Sequence, residues 1–389
     1  HILRHIPWAK TLISFVVRMN REPIRSTARS IANNEFHETG HEVNNIARRA
    51  VRALESAGVR ALAPSMAFPM EMDNWPERPW VVAHKPVAEA AGMGVMGIHR
   101  IVIHPRFGSA ILLGTIVIGA GLTDEDEPGR PLDFNPCFEC RLCVAACPTG
   151  AIKPDGAFDF ASCYTHNYRE FMSGFADWVE TIADAGSARK YRRRVEDRET
   201  VSMWQSLGFG PNYKAAYCVA VCPAGEDVIG PFKEDKKKFI ADVVRPFQDK
   251  AETVYAVKGS DAIAHVEKRF PHKAVKTVSS GLRPNTVRGF IEFLPHLFQK
   301  GAADGLDATY HFTFTGRESL EATVRIADGA LTIEDGLVGK PNLRMIADTD
   351  AWLGFLRGDK GLVGSLLRRK IRLGGDPRLL LRFGACFPA

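Results

Sequence analysis

The stretch Cys137-Phe-Glu-Cys140-Arg-Leu-Cys143-Val-Ala-Ala-Cys147-Pro148 packs four cysteines into eleven residues. About seventy residues on comes a shorter echo, Ala215-Ala-Tyr-Cys218-Val-Ala-Val-Cys222-Pro223, which ends in the same C-x3-C-P. Alanine stands at 215, where a C-x2-C pair would begin. Seven of the eight cysteines lie between 137 and 222, and the eighth is Cys386. Such clustering suits a metal cofactor in a reducing compartment better than a secreted disulfide scaffold.

The spacing C-x2-C-x2-C-x3-C-P is that of a bacterial-type ferredoxin. Two-residue gaps let three thiolates meet three corners of one cubane from a single tight loop. The fourth cysteine, just before proline, serves the other cluster, so a second motif is required. By this reciprocal rule a [4Fe–4S] cluster I takes Cys137, Cys140, Cys143 and the distant Cys222. Cluster II takes Cys147 and Cys218, and Cys163 is the remaining cysteine of the segment. Three thiolates imply a [3Fe–4S] cluster, or a [4Fe–4S] cluster whose fourth ligand is water, histidine or carboxylate. His166, three residues from Cys163, is a candidate for that corner, and Cys386 is another.

Outward from this segment, 389 residues suffice for two or three domains with their own cores. Hydrophobic content of 45% and charged content of 25% are ordinary for globular protein. The net charge of +6 is small for this length, and the basic runs at 190–194 and 236–238 read as solvated faces, so no nucleic-acid partner is expected. No run reaches the ~18–20 apolar residues of a membrane span. Residues 9–17 are too short for a signal-peptide core, although an export signal ahead of His1 stays open. The expected setting is cytoplasmic, with membrane association also open.

Residues 11–19 read as a buried strand. Thr39-Gly-His-Glu42 has capping-box spacing ahead of apolar positions at helical period, with Gly58 as the stop. Strands are expected at 59–62, 101–103 and 111–118, and a helix at 86–91, which together give an α/β layer over 1–130. The acidic stretch 123–135 leads into the cysteine segment, 131–232, which carries a polar helical insert over 166–205. Residues 233–294 read as a helical linker. Over 295–389 the alternation of residues 311–315, 321–326 and 330–334 gives half-buried strands, with Asp328-Gly329 as a hairpin turn. Helices follow at 350–356 and 362–369, so this end is a separate α+β domain.

His84-Lys-Pro-Val-Ala-Glu-Ala-Ala-Gly-Met-Gly94, Gly97-Ile-His-Arg100 and Ile101-Val-Ile-His-Pro-Arg-Phe-Gly-Ser109, placed before the double cysteine motif, resemble the cobalamin-dependent reductive dehalogenases and epoxyqueuosine reductases. Those enzymes also displace the first cysteine of the second motif far upstream, as Cys163 is here. The resemblance, over about residues 10–232, implies a nitroreductase-like α/β layer holding a corrinoid. Two clusters would wire that corrinoid to an external electron donor or acceptor protein. It also implies that Gly92, Gly94 and Gly97 lie close to the flat cofactor. The dehalogenases' tyrosine proton donor finds no match before Tyr164. The acidic residue of the epoxyqueuosine reductases finds none either, Glu77 and Arg78 falling nearby. Tyr164, His166 and Tyr168 are the nearest proton-donor candidates along the chain.

A second resemblance covers 295–384. Phe312-Thr-Phe-Thr-Gly316, residues 325–333, residues 344–356 and Lys370-Ile-Arg-Leu-Gly-Gly-Asp-Pro377 look like a sterol-carrier-type domain. That family encloses an apolar tunnel for acyl chains or sterols, and Trp352, Phe355, Leu356, Leu362, Leu366 and Leu367 are the residues that would line it. The combined expectation is an iron–sulfur oxidoreductase, dehalogenase-like, that passes single low-potential electrons to a cofactor reducing an apolar or lipid-like substrate. The other expectation is a non-catalytic electron-transfer or assembly subunit.

Overall fold

The β-branched run at 111–118 becomes the middle strand of an antiparallel three-stranded sheet. Ile111–Ile118 pairs along its length with Thr11–Arg18, and Ala61–Leu62 joins its other side. It is apolar on both faces because both are covered, and most of its side chains are buried. The computed structural model describes all residues except 76–78, 124–126, 138 and 389, so Glu77, Arg78 and part of the acidic stretch lie outside the described residues.

The long helix that covers this sheet runs Arg29–Ser56, beginning ten residues before the expected cap. Thr39 sits inside it, its hydroxyl donating to Glu35 at 3.2 Å. Residues 29–38 hold neither Gly nor Pro. Once the stripe Ala32, Val43 and Ala47 is buried, a helix propagates through them more readily than it starts anew at Thr39. Gly58 does stop it, with a φ of +80°. Beyond a short helix, His84–Ala90, the strands Val95–Met96 and Val102–Ile103 form a hairpin.

The expected insert is four helices: Phe160–Asn167, Ser173–Ala185, Ala188–Arg192 and Asp197–Phe209. Gly186, at φ +63°, ends the second, and the Ser187 hydroxyl caps the third. The stretch 233–290 is also not wholly helical. Thr253–Val257 and Ala274–Val278 pair in parallel around the helix Asp261–Arg269, a small β-α-β unit. Thr-Val-Tyr-Ala-Val has strand-forming residues and a nearly fully buried pattern. A run buried on both faces shows no alternation, so the charged helices around it set the apparent period.

The C-terminal end is a five-stranded sheet in the order Ala330–Asp335, Leu320–Ala327, Ala308–Thr315, Leu343–Asp348, Ile371–Gly375. All neighbours are antiparallel except the central pair, Ala308–Thr315 with Leu343–Asp348. Asp328 and Gly329 both take positive φ, +52° and +66°, as the tight hairpin requires. Helices pack the inner face around Trp352, Phe312, Phe314 and Phe383. Val287, Phe290 and Leu294 from the helix Val287–Leu297 belong to the same core, which therefore begins ahead of 295.

The α/β layer is locked to the second cysteine motif at one joint. Arg21 is buried and donates to the carbonyls of Phe107 (2.8 Å) and Ala224 (3.2 Å), while pairing with Asp227 at 3.1 Å. Gly108, at φ +64°, lies so close that a Cβ there would sit 1.8 Å from the Ala224 carbonyl oxygen. Gly108→Ala should therefore destabilise the protein by about 1–3 kcal/mol. A lower denaturant midpoint measures this, and an unchanged midpoint would show that the loop can withdraw from Ala224.

Candidate iron–sulfur centre

Cys137, Cys140, Cys143 and Cys222 line one cavity, together with Pro136, Arg141, Pro223, Ile98, His99 and Ile103. The two motifs, distant in sequence, thus meet with the four thiols that the reciprocal rule groups as site I. Cys143 and Cys222 are buried, the other two half-buried. Burial pushes the Cys143 thiol up, and the neighbouring thiols of Cys218, Cys222, Cys140 and Cys137 push it further. Four thiolates cannot share such a space without cationic metal among them, so the donor set fits an iron–sulfur cubane.

Backbone amides support the same chemistry. The Ile98 N–H points at Cys137 Sγ at 3.4 Å. Burial raises Cys140 and Cys222, and N–H groups of Leu142 and Ala224 at their sulfurs pull them partly back. His99 is 4% exposed. Its Nδ1 accepts from the Ile101 N–H at 3.2 Å, so in the neutral ring Nε2 carries the proton. Burial, then Lys85, pushes His99 down to about 4 and keeps it neutral. That Nε2 has no partner among the protein atoms, on the wall of a cavity whose cluster sulfide would be an acceptor.

Site II gathers Cys147, Cys163 and Cys218. Burial pushes Cys163 well up, with Cys147 and then Cys218 as the next causes. Cys218 is pushed up to about 12 by burial and by Cys147. Cys163 rides on the helix Phe160–Asn167, whose cap Asp159 accepts from the Ser162 N–H at 2.9 Å. The Thr149 hydroxyl lies 3.6 Å from Cys147 Sγ. Lys85, which sequence reasoning passed over, lies within electrostatic reach: desolvation lowers it, and Cys218 and then Cys163 draw it back up. The residue stays exposed, and its Nζ donates to the Arg100 carbonyl at 2.7 Å. Its signal was only position, seven residues before Gly92.

The other candidates separate. His166 turns away from the thiols: its Nδ1 accepts from the Tyr255 N–H at 3.3 Å, and the charges around it are Glu252, Lys214, Lys273 and Lys250. The Tyr164 hydroxyl is engaged by the Ser173 N–H at 3.3 Å. Only Tyr168 of the three stands toward site II. Burial raises it first, then Tyr213 and Cys163, and its ring packs on Tyr164, Phe171 and Tyr213. Cys386 is buried in the C-terminal core, far from the role of a fourth ligand.

The glycine segment differs from its expected duty. A Cβ on Gly92 would lie 2.5 Å from the Arg130 carbonyl oxygen, and one on Gly94 2.5 Å from that of Ile103. One on Gly97 would meet the His99 ring at 2.7 Å. The close approach that demands glycine is to the chain itself. The segment forms the hairpin that carries Ile98 and His99 to site I, and its glycine faces do not fit a corrinoid bed.

Comparison with known proteins bears on the first cysteine motif. A family model described as 4Fe-4S binding domain matches residues 131–153, so the chain carries [4Fe–4S] chemistry. An epoxyqueuosine reductase of Vibrio cholerae is 32% identical over 93 residues, 23% of this chain and 24% of that protein. A solved epoxyqueuosine reductase with a tRNA stem loop covers 42% of this chain and 41% of its own, at 17% identity and a TM-score of 0.28. Sterol carrier protein 2 like 2 from Aedes aegypti covers 25% of this chain and 92% of its own, at 15% identity and a TM-score of 0.20. The chain spans about a quarter of the Vibrio relative and two fifths of the solved reductase.

His99→Leu should leave site I iron in place and move its midpoint potential to more negative values, since a donor to the reduced cluster is lost. An EPR-monitored titration reads this, and an unmoved potential would exclude His99 as a donor. The burial of neutral His166, held at about 4, carries a pH signature. Its unfolded value is near 6.5, so below 6.5 the unfolded state binds the proton first. Stability should fall as pH drops from about 6.5 to about 4, and less so in His166→Gln, as denaturant midpoints at pH 7 and pH 5 would register.

Proposed function

We propose that this chain is an iron–sulfur oxidoreductase that passes single electrons through two clusters, exchanging them with an external partner protein. Site I is held by Cys137, Cys140, Cys143 and Cys222, and site II by Cys147, Cys163 and Cys218. The convergence of four thiols from two distant motifs on one cavity carries this reading. A cluster supplies one-electron chemistry at low potential. The protein's part is to bury the thiols, aim amide and imidazole N–H groups at sulfur, and fix the two sites beside each other through the shared Cys143–Cys147 and Cys218–Cys222 helical turns.

The reduction of an apolar or lipid-like substrate belongs to the same proposal and leans on the C-terminal sheet. Of the six expected tunnel residues, Trp352 is buried among Phe290, Phe312, Phe314 and Phe355, whereas Leu367 is 81% exposed. The covered glycine faces favour the second reading in one respect, a relay subunit in which the α/β layer acts as scaffold. No helix among the described residues is long and apolar enough to cross a membrane.

Anaerobic purification with iron and sulfide counting should give about seven to eight iron atoms per chain. Cys140→Ala should remove the EPR signal of site I and leave that of site II. Loss of neither signal would defeat the ligand assignment, and zinc in place of iron would defeat the function.

A further inference from the structure

The two motifs share more than spacing. Arg141 and Ala216 both take left-handed backbone, at φ +52° and +65°. Each immediately precedes a short helix, Leu142–Ala146 and Tyr217–Ala220. Side chains other than glycine adopt that conformation at a cost, so its recurrence at matching positions marks one structural turn used twice. In the first turn the residue before the left-handed position is Cys140, and Cys143 and Cys147 follow at two and six residues beyond it. In the second turn Cys218 and Cys222 occupy those same two offsets. The residue in the Cys140 place is Ala215.

Ala215 is not adrift from site II. Its N–H donates to the Asn167 side chain at 2.9 Å, and the Lys214 N–H donates to the Asn167 carbonyl at 3.2 Å. Asn167 ends the helix that carries Cys163. Ala215 is buried and packs in one core with Cys143, Cys147 and Cys218. The turn that would present a fourth thiolate is therefore intact, and only the sulfur is missing. A cation stands within reach of the site II thiols. Lys85 lies within electrostatic reach of Cys163 and Cys218, and its Nζ donates to the Arg100 carbonyl at 2.7 Å, which leaves two of its three protons for another acceptor.

We infer that Ala215 is a built coordination opening. At site II the iron corner that Cys140 covers at site I takes a small anion from outside the chain, a hydroxide or a carboxylate, held by Lys85. This rests on the reading of site II as a cluster site. The exchange removes one thiolate charge and offers an anion-binding position next to an ammonium, so the site is suited to a ligand that comes and goes. An imidazole alternative is His265, which hydrogen-bonds the Cys147 backbone and leaves Nε2 without a partner among the described residues.

The test uses the full chain, reconstituted anaerobically, with cyanide as the probe anion and site I as internal reference. In the wild type, cyanide should alter the EPR signal of reduced site II and leave that of site I unchanged. Ferricyanide should remove about one iron per chain and produce a [3Fe–4S] signal. Ala215→Cys should abolish both responses, and Lys85→Gln should require roughly tenfold more cyanide. A wild type whose site II ignores cyanide and keeps its iron overturns the inference, whether or not the cysteine variant folds. A site II signal that changes in His265→Ala overturns it too, by naming a protein ligand. If no cluster signal arises at either site, the proposed function itself fails.

Discussion

The interaction on which the rest of this molecule depends is the crossing of Cys222 into the loop of Cys137, Cys140 and Cys143. One sulfur from a segment some eighty residues away must complete a cavity opened by three others. Everything between the motifs is constrained by that closure. The four helices of the insert leave one motif and return to the other, and the helix Phe160–Asn167 drops Cys163 beside site II on the way. The α/β layer is bound to the same closure through Arg21 and Gly108, which hold Ala224 and Gly225 just past Cys222. A fold organised in this way couples cluster binding to stability, because buried thiols that hold their protons tightly give them up only to metal.

The electrostatics around the two sites differ in kind. At site I the groups at hand are neutral: amides at three of the sulfurs and, on the cavity wall, a histidine kept neutral by burial. At site II a full positive charge, Lys85, stands near the thiols, with Tyr168 on another side. Neutral donors tune a closed cluster without inviting a ligand, whereas an ammonium beside an incomplete thiolate set attracts one. The C-terminal sheet reaches this region by modest means. Gln299 donates to Asp159, the cap of the Cys163 helix, at 3.3 Å, and the His296 ring packs on Phe160.

Much of this was legible in the residues. The spacing alone grouped Cys137, Cys140 and Cys143 with Cys222, because thiolate geometry on a cubane permits few alternatives. Strand 111–118 was readable as a long β-branched apolar run, and the Asp328-Gly329 turn and the C-terminal alternation as a positive-φ demand and a local period. The early start of the Arg29–Ser56 helix was not, because propagation overrode a plausible cap. The β-α-β unit at 253–278 hid for a related reason: a doubly buried strand has no alternation, and at five residues this one is too short to stand out from the charged helices around it. The glycines at 92, 94 and 97 were legible as places of close approach, but what approaches them was not.

From the residues alone came the expectation that two motifs share two clusters and that one of those clusters lacks a cysteine. These are consequences of covalent spacing and ligand count, and neither needs coordinates. It took the folded chain to show that His166 faces Tyr255 while Lys85 comes within electrostatic reach of the thiols. It alone placed His99 on the cavity wall, and it alone revealed that Ala215 keeps the left-handed turn of Cys140. Those choices depend on which way a helix or hairpin is rotated when its apolar side is buried, and chain position carries no record of that rotation.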